Sequence, residues 1–316
     1  MATDYILFIH GVSTRERRES PEYAKDLIEG IQSKSIDFVD IPLYWGDVNE
    51  AAETKLLERL QASHLWNRMW FRSFREKQLL QFAGDAALYI SRHVGYKVVK
   101  RLKTDALKVL QHAEPNDCLH LVTHSWGTVI LFDILFATRW DDPNVPGHEE
   151  VLQIRDAIFG LSGKDDSTHQ GIRLASINTM GSPIAIFSLT SINDDPNQST
   201  PDSSSHNITP CLQKLLNNLY QARNGEKLPW RNFVHLGDPI AFPLEQLMKD
   251  MIDKNETYID FQDLIIQEPK LLDFLIQPLR QTILALLHWG QAHDSYWQSQ
   301  TVIGEISSIL KNKVTA

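Results

Sequence analysis

The stretch Cys118-Leu119-His120-Leu121-Val122-Thr123-His124-Ser125-Trp126-Gly127-Thr128 decides how this chain reads. An apolar run of strand length leads into a serine set between a histidine and a Trp-Gly pair. The apolar stretch 126–138 that follows has the length of a helix. A strand, a sharp turn that lifts a hydroxyl above a sheet, and a helix backing that turn together make a nucleophile elbow. The usual turn is Gly-x-Ser-x-Gly. Here Thr123 stands at the first glycine, where a Cβ crowds the neighbouring helix. The competing reading of Ser125 is an ordinary turn serine, and the pentapeptide alone leaves the two level.

Outward from the elbow, strand-like and helix-like stretches alternate. Strands are expected over 5–10, 36–44, 118–122, 173–180 and 232–236. Helices are expected over 21–33, 94–111 and 126–138. The first has Ser20 as N-cap, Pro21 at its first position and the stripe Tyr23, Leu27, Ile31. This alternation predicts an α/β fold, a mostly parallel sheet wrapped by helices, within a single domain over 1–316. In such sheets the ligand site lies at the carboxyl ends of the strands. Three stretches read as insertions: 46–93, helical and aromatic; 190–210, almost wholly Ser, Thr, Asn, Asp and Pro, a mobile polar loop; and 244–287, with several apolar helical segments.

Composition narrows the function classes. The 316 residues are 42% hydrophobic, ample for a core, and the net charge of −9 argues against a nucleic-acid partner. Cys118 and Cys211 lack Cys-x-x-Cys spacing and read as reduced thiols. The first residues show no basic region before 5–10, and no stretch has the apolar length of a membrane span, so a cytoplasmic protein is expected. Gly160-Leu161-Ser162-Gly163-Lys164 is not a phosphate loop, because the spacing is wrong and no hydroxyl follows the lysine.

A serine hydroxyl becomes a nucleophile near neutral pH only with a histidine to take its proton and a carboxylate to orient that histidine. In an elbow fold the chain order is serine, acid, histidine. Asp238 is the candidate acid: it follows the strand expected over 232–236, in Gly237-Asp238-Pro239. The plain alternative is a turn aspartate bonding its own backbone. His293 is the candidate base, in a polar stretch after the apolar run 283–289. His288, inside that run, reads as a core histidine. His112 and His120 precede the serine, and His124 is expected to pack beside the site as part of the substrate pocket. The developing oxyanion needs two N–H donors. Trp126 N–H follows the nucleophile, and Val12 N–H lies in the loop His10-Gly11-Val12 after the first strand. His10 reads as a brace for that loop.

With these residues in place the chain resembles the α/β-hydrolase superfamily, in its lipase and esterase branch. The resemblance covers most of the length outside the insertions. His10-Gly11-Val12 matches the family's oxyanion loop, His124-Ser125-Trp126-Gly127 its nucleophile motif, and Asp238 and His293 its acid and base. Asn178-Thr179-Met180-Gly181-Ser182-Pro183 is similar to a structural Gly-Ser-Pro segment of lipase-like members. The resemblance implies a carboxylic-ester hydrolase working through an acyl-enzyme on Ser125, with no metal and no organic cofactor. Thr123 departs from the pattern without removing a reacting group.

The insertion at 46–93 bears on substrate. It carries Trp66, Met69, Trp70, Phe71 and Phe74 with Arg68, Arg72 and Arg75 between them. Residues 64–110 hold ten Lys/Arg against three Asp/Glu, a net +7 inside an acidic chain. One reading is a helical cap packing its aromatics on the body. The other is a surface for transient contact with anionic lipid, which would make the protein peripheral to a membrane. Trp66 and Trp70 are candidate pocket walls beside His124, and the texture favours an acyl or lipid-like ester. Two alternatives keep the fold: an acyltransferase with the same three residues, and a non-catalytic binding module for a membrane or protein.

Overall fold

In the computed structural model, β1 (Asp4–Ile9), β2 (Val39–Leu43), β3 (Cys118–His124), β4 (Arg173–Met180), β5 (Leu228–Val234) and β6 (Ile259–Ile265) form one sheet. The order is β2-β1-β3-β4-β5-β6 and every neighbouring pair is parallel. The structure describes residues 2–12, 14, 21–69, 72, 76, 92–114, 116–162, 171–185, 206–266 and 292–312.

A parallel sheet needs crossover segments that cover both faces, so its central strands are apolar on both sides. β1 is buried at all six positions. Tyr5, Leu7 and Ile9 join one core; Ile6 and Phe8 join the other. The first core is closed by α3 (Arg92–Leu110), α4 (Trp126–Phe136), α5 (His148–Asp156), α6 (Thr209–Ala222) and α7 (Glu245–Met251), with α1 (Lys25–Gln32) and α8 (Gln300–Lys311) closing the second. α2 (Glu50–Gln61) has no buried side chain.

The chain leaves β1 and β3 towards opposite faces. α1 contributes Leu27 and Ile31 to the second core, whereas α4 lies wholly in the first. β2 and β3 also lie on opposite sides of β1. A crevice opens at the carboxyl ends of two strands whose connections diverge in this way, the place where ligands bind in open α/β sheets.

α4 is apolar on all sides, in the sequence WGTVILFDILF, and every one of its residues is buried. Such a helix belongs in an interior. Each large side chain it buries contributes roughly 1.5–3 kcal/mol. Its one charge, Asp133, is matched by Arg139 Nε (3.1 Å), Trp140 Nε1 (3.2 Å) and His206 Nδ1 (2.8 Å).

Several sequence expectations are corrected here. The strand expected over 232–236 runs from Leu228 to Val234. Pro229 and Arg231 broke the apolar run, but Arg231 is paired with Asp260 and Glu305. The insertion expected to be helical over 244–287 holds α7 and then the sixth strand, β6, paired in register with β5 from Leu228↔Ile259 to Val234↔Ile265. As an edge strand, β6 tolerates the exposed polar residues that masked it. Within 46–93 the described part contains α2 and a 3₁₀ turn, Trp66–Arg68. Most of 70–91 and the polar stretch 190–205 lie outside the described residues, as do His288 and the run 283–289. Cys118 and Cys211 form no disulfide. Among the described residues no helix is long and apolar enough to cross a membrane.

Candidate active site

Ser125 sits between β3 and α4 with φ 55° and ψ −132°. Few residues other than glycine occupy such a region, and holding one there costs on the order of 1–3 kcal/mol. The hydrogen bonds show what holds it. Ser125 N–H donates to Met180 O (2.9 Å), a last rung towards β4, while its carbonyl accepts from Thr128 N (3.0 Å), the first turn of α4. One residue thus ends a sheet ladder and starts a helix. Its side chain is fully buried, and Oγ has no hydrogen-bond partner among the described residues.

The surrounding small residues follow from close backbone approach. A Cβ on Gly11 would stand 2.5 Å from Ser125 Cβ and 2.9 Å from its Oγ, so the loop after β1 lies directly against the serine. A Cβ on Gly127 would meet His10 O at 2.3 Å. These two glycines let the 10–12 loop and the start of α4 interlock. Thr123 is accommodated differently: it is fully buried, and its Oγ1 bonds Thr128 Oγ1 at 2.8 Å. The hydroxyl turns the extra bulk into a tie between strand and helix.

His10 braces the 10–12 loop with both ring nitrogens. Nε2 accepts from Trp45 N–H (3.1 Å), which leaves Nδ1 to donate to Gly11 O (2.6 Å). The ring stacks on Trp45 with centroids 5.3 Å apart and planes 2° from parallel. Val12 follows, half-buried against the first core. Trp126 is the first residue of α4, so its backbone N–H belongs to the positive end of that helix.

Asp238 and His293, 55 residues apart in sequence, meet through Asp238 Oδ2 and His293 Nδ1 at 2.8 Å. Both are buried. Asp238 Oδ1 accepts from Ile240 N–H (3.2 Å) in the turn after β5. His124 joins this pair to the elbow: its Nε2 donates to the backbone carbonyl of His293 (2.7 Å), and the two rings lie 4.5 Å apart. Burial first, then the neighbouring His293, holds the His124 pKa well below the ordinary histidine range, so it is a neutral donor.

The structure places Ser125, Asp238, His293, Val12, Trp126 and His124 at one end of the sheet, with the Asp238–His293 bond formed and no hydrogen bond between Ser125 Oγ and His293 Nε2. Trp66 is buried in its 3₁₀ turn but belongs to neither sheet core, and Trp70 lies outside the described residues. Tyr296 had no role in the sequence reading, and Gly181 had one only within the structural Gly-Ser-Pro segment. Tyr296 donates its hydroxyl to Asp238 Oδ2 (3.0 Å), and Gly181, at φ 54°, leaves room for both, since a Cβ there would stand 2.8 Å from the Tyr296 ring and 2.9 Å from Asp238 Oδ2. The i, i+3 spacing of His293 and Tyr296 was the available signal.

A second serine–histidine–aspartate contact differs in kind. His120 Nδ1 lies 2.8 Å from Ser176 Oγ, and its Nε2 lies 3.5 Å from Asp4 Oδ1. His120 and Ser176 are register partners inside strands, so this is a buried cross-strand pair with no turn to present the hydroxyl. Among the described residues no group of three or more His, Cys, Asp or Glu is arranged to hold a metal ion.

No family model matches this chain, and no curated protein matches it. A solved structure that does match is the RedJ thioesterase from the prodiginine biosynthetic pathway of Streptomyces coelicolor. It is 11% identical, covers 89% of this chain and 86% of its own, and superposes with a TM-score of 0.31. At that score the likeness carries no weight, and fold and site rest on the geometry above.

Proposed function

We propose that this chain is a serine hydrolase of the α/β-hydrolase fold, cleaving a carboxylic ester of lipase or esterase type through an acyl-enzyme on Ser125. The observation that carries the reading is the strained Ser125 backbone at the switch point of the sheet, tied through His124 to a buried His293–Asp238 pair. The strain costs stability. Such conformations persist where function requires them.

In this reading His293 Nδ1–H donates to the Asp238 carboxylate, which leaves the Nε2 lone pair as the base. Ser125 Oγ attacks the ester carbonyl carbon while its proton passes to His293 Nε2. The carbonyl π pair moves onto oxygen, where the Val12 and Trp126 N–H groups and the positive end of α4 stabilise it. As the pair returns, the ester C–O bond breaks and the alkoxide leaves with the proton from His293. Water then repeats the sequence on the acyl-enzyme, releasing acid and free Ser125. The burial of Ser125 and the apolar Trp126 beside it favour an apolar acyl group over a small charged one.

The test is hydrolysis of carboxylic esters across acyl chain lengths, with Ser125→Ala as the blank. The expected result is acid release that Ser125→Ala lowers by roughly 10³-fold or more, the scale set by loss of a nucleophile that works as a unit with its base. Equal rates in both proteins, or none in either, would count against the reading.

A further inference from the structure

Tyr296 makes a bond that the proposed reaction does not itself require. It is fully buried, and its hydroxyl donates to Asp238 Oδ2 at 3.0 Å, the oxygen that also accepts from His293 Nδ1 at 2.8 Å. The same hydroxyl accepts from His235 N–H at 2.9 Å, so its direction of donation is fixed: with the oxygen's lone pair taken by an amide, its one proton points to the carboxylate. Burial first, then the Asp238 charge, raises the Tyr296 pKa far above the ordinary phenol value, so it stays a donor wherever the protein is folded.

The backbone around it is shaped to keep this contact. Gly181 has φ 54°, and the space of its missing side chain is filled by the Tyr296 ring and by Asp238 Oδ2. Gly181 N–H donates to Phe233 O (3.0 Å), which holds the ends of β4 and β5 together under the pair. The His124 ring closes the other side, 5.7 Å from Tyr296 and 5.5 Å from Trp297. His293 and Tyr296 leave the same short segment, one as the partner of Asp238 and the other as its clamp.

We infer that Tyr296 is a positioning residue for Asp238: it pins Oδ2 in the plane that meets His293 Nδ1 and draws off part of the carboxylate charge, setting how basic His293 is. The inference rests on the proposed Ser125 hydrolase reading and deepens it. A carboxylate with one oxygen shared between two donors presents less charge to an imidazolium than one with a single donor. Without the phenol, His293 would gain basicity while its orientation loosened. The titratable groups facing the pair are His124 from the elbow, His235 from the turn after β5 and the exposed Asp294 next in the chain. His124 and Asp294 make no hydrogen bond to the phenol, whereas Tyr296→Phe takes the phenol oxygen away from the backbone N–H of His235, a cost that the thermal midpoint reads.

The experiment compares wild type, Tyr296→Phe and a protein with 3-fluorotyrosine at 296, a stronger donor of nearly the same shape. Each is assayed for the second-order rate of fluorophosphonate labelling at Ser125 and for ester hydrolysis against pH, with the thermal midpoint as a folding control. In Tyr296→Phe, kcat and the labelling rate should fall roughly 10- to 100-fold, the worth of one hydrogen bond to a charged group. KM should hold, and the acid limb of the pH profile should move to higher pH. The fluorotyrosine protein should move that limb to lower pH. A role in packing alone would lower the thermal midpoint and leave the limb in place. If wild type labels at Ser125 and both variants keep its rate and limb, the positioning role is overturned while the hydrolase reading stands. If folded wild type does not label, both fall. Should Tyr296→Phe not fold, the direction of the fluorotyrosine shift decides.

Discussion

At Ser125 two hydrogen-bonding obligations meet on one residue, and the left-handed backbone is the result. This has a consequence for stability that is separate from chemistry. Ser125→Gly and Ser125→Ala both remove the hydroxyl, but only glycine accepts φ 55° and ψ −132° without strain. Ser125→Gly should therefore be the more stable by about 1–3 kcal/mol in chemical denaturation. Equal stabilities would mean that the turn is relaxed. Thr123, which looked like a defect in the motif, is tied to Thr128 instead. Gly127, against the His10 carbonyl, and Gly11, against Ser125, are the positions where a side chain cannot enter. A linear pattern marks which glycines are usual. Which ones are obligatory depends on the backbone that passes each, and only the fold brings that backbone close.

Among the elements, those buried on both faces were the legible ones. β1 reads as a near-continuous apolar run because helices cover both sides, and α4 reads as a solid apolar block for the same reason. β6 hid because an edge strand is half exposed: Asp260 and Asp263 broke its pattern, yet Asp260 pairs with Arg231, and Asp263 accepts from the N–H groups of Leu244 and Glu245 at the start of α7. The Asp238–His293 contact was expected from chain order, but the Tyr296–Asp238 one was not, because no chain-order rule asks for a phenol beside the acid. The charged residue in α4 offers a test at this scale. Asp133→Ala would remove the buried carboxylate that Arg139, Trp140 and His206 share and should destabilise the protein by about 3–5 kcal/mol, read as a shift in denaturant midpoint. A loss under about 1 kcal/mol would contradict a stabilising role for this carboxylate.

For the molecule as a whole, the all-parallel order places the loops after β1 and β3 on either side of the switch point, with the turn after β5 and the 292–298 segment closing over them. Burial of the site leaves a mark on global stability. His124 is kept neutral in the folded state but takes a proton freely when unfolded, so its folded pKa lies below its unfolded value of about 6.5. Its stabilising neutrality is fully present above that pH and is lost as pH falls towards the folded pKa. Between those limits wild type should lose up to about 1.4 kcal/mol per pH unit from this one proton. His124→Gln, which keeps a donor towards His293 O, should lack that component. Parallel pH slopes in the two proteins would contradict the buried neutral histidine. The central claim is tested most directly by mass spectrometry after exposure to a fluorophosphonate, with the modified peptide sequenced. The account predicts a single phosphonyl adduct on Ser125 in the folded wild-type protein, and none in Ser125→Ala or His293→Ala. Unmodified wild-type protein, or an adduct on any other residue, would contradict it.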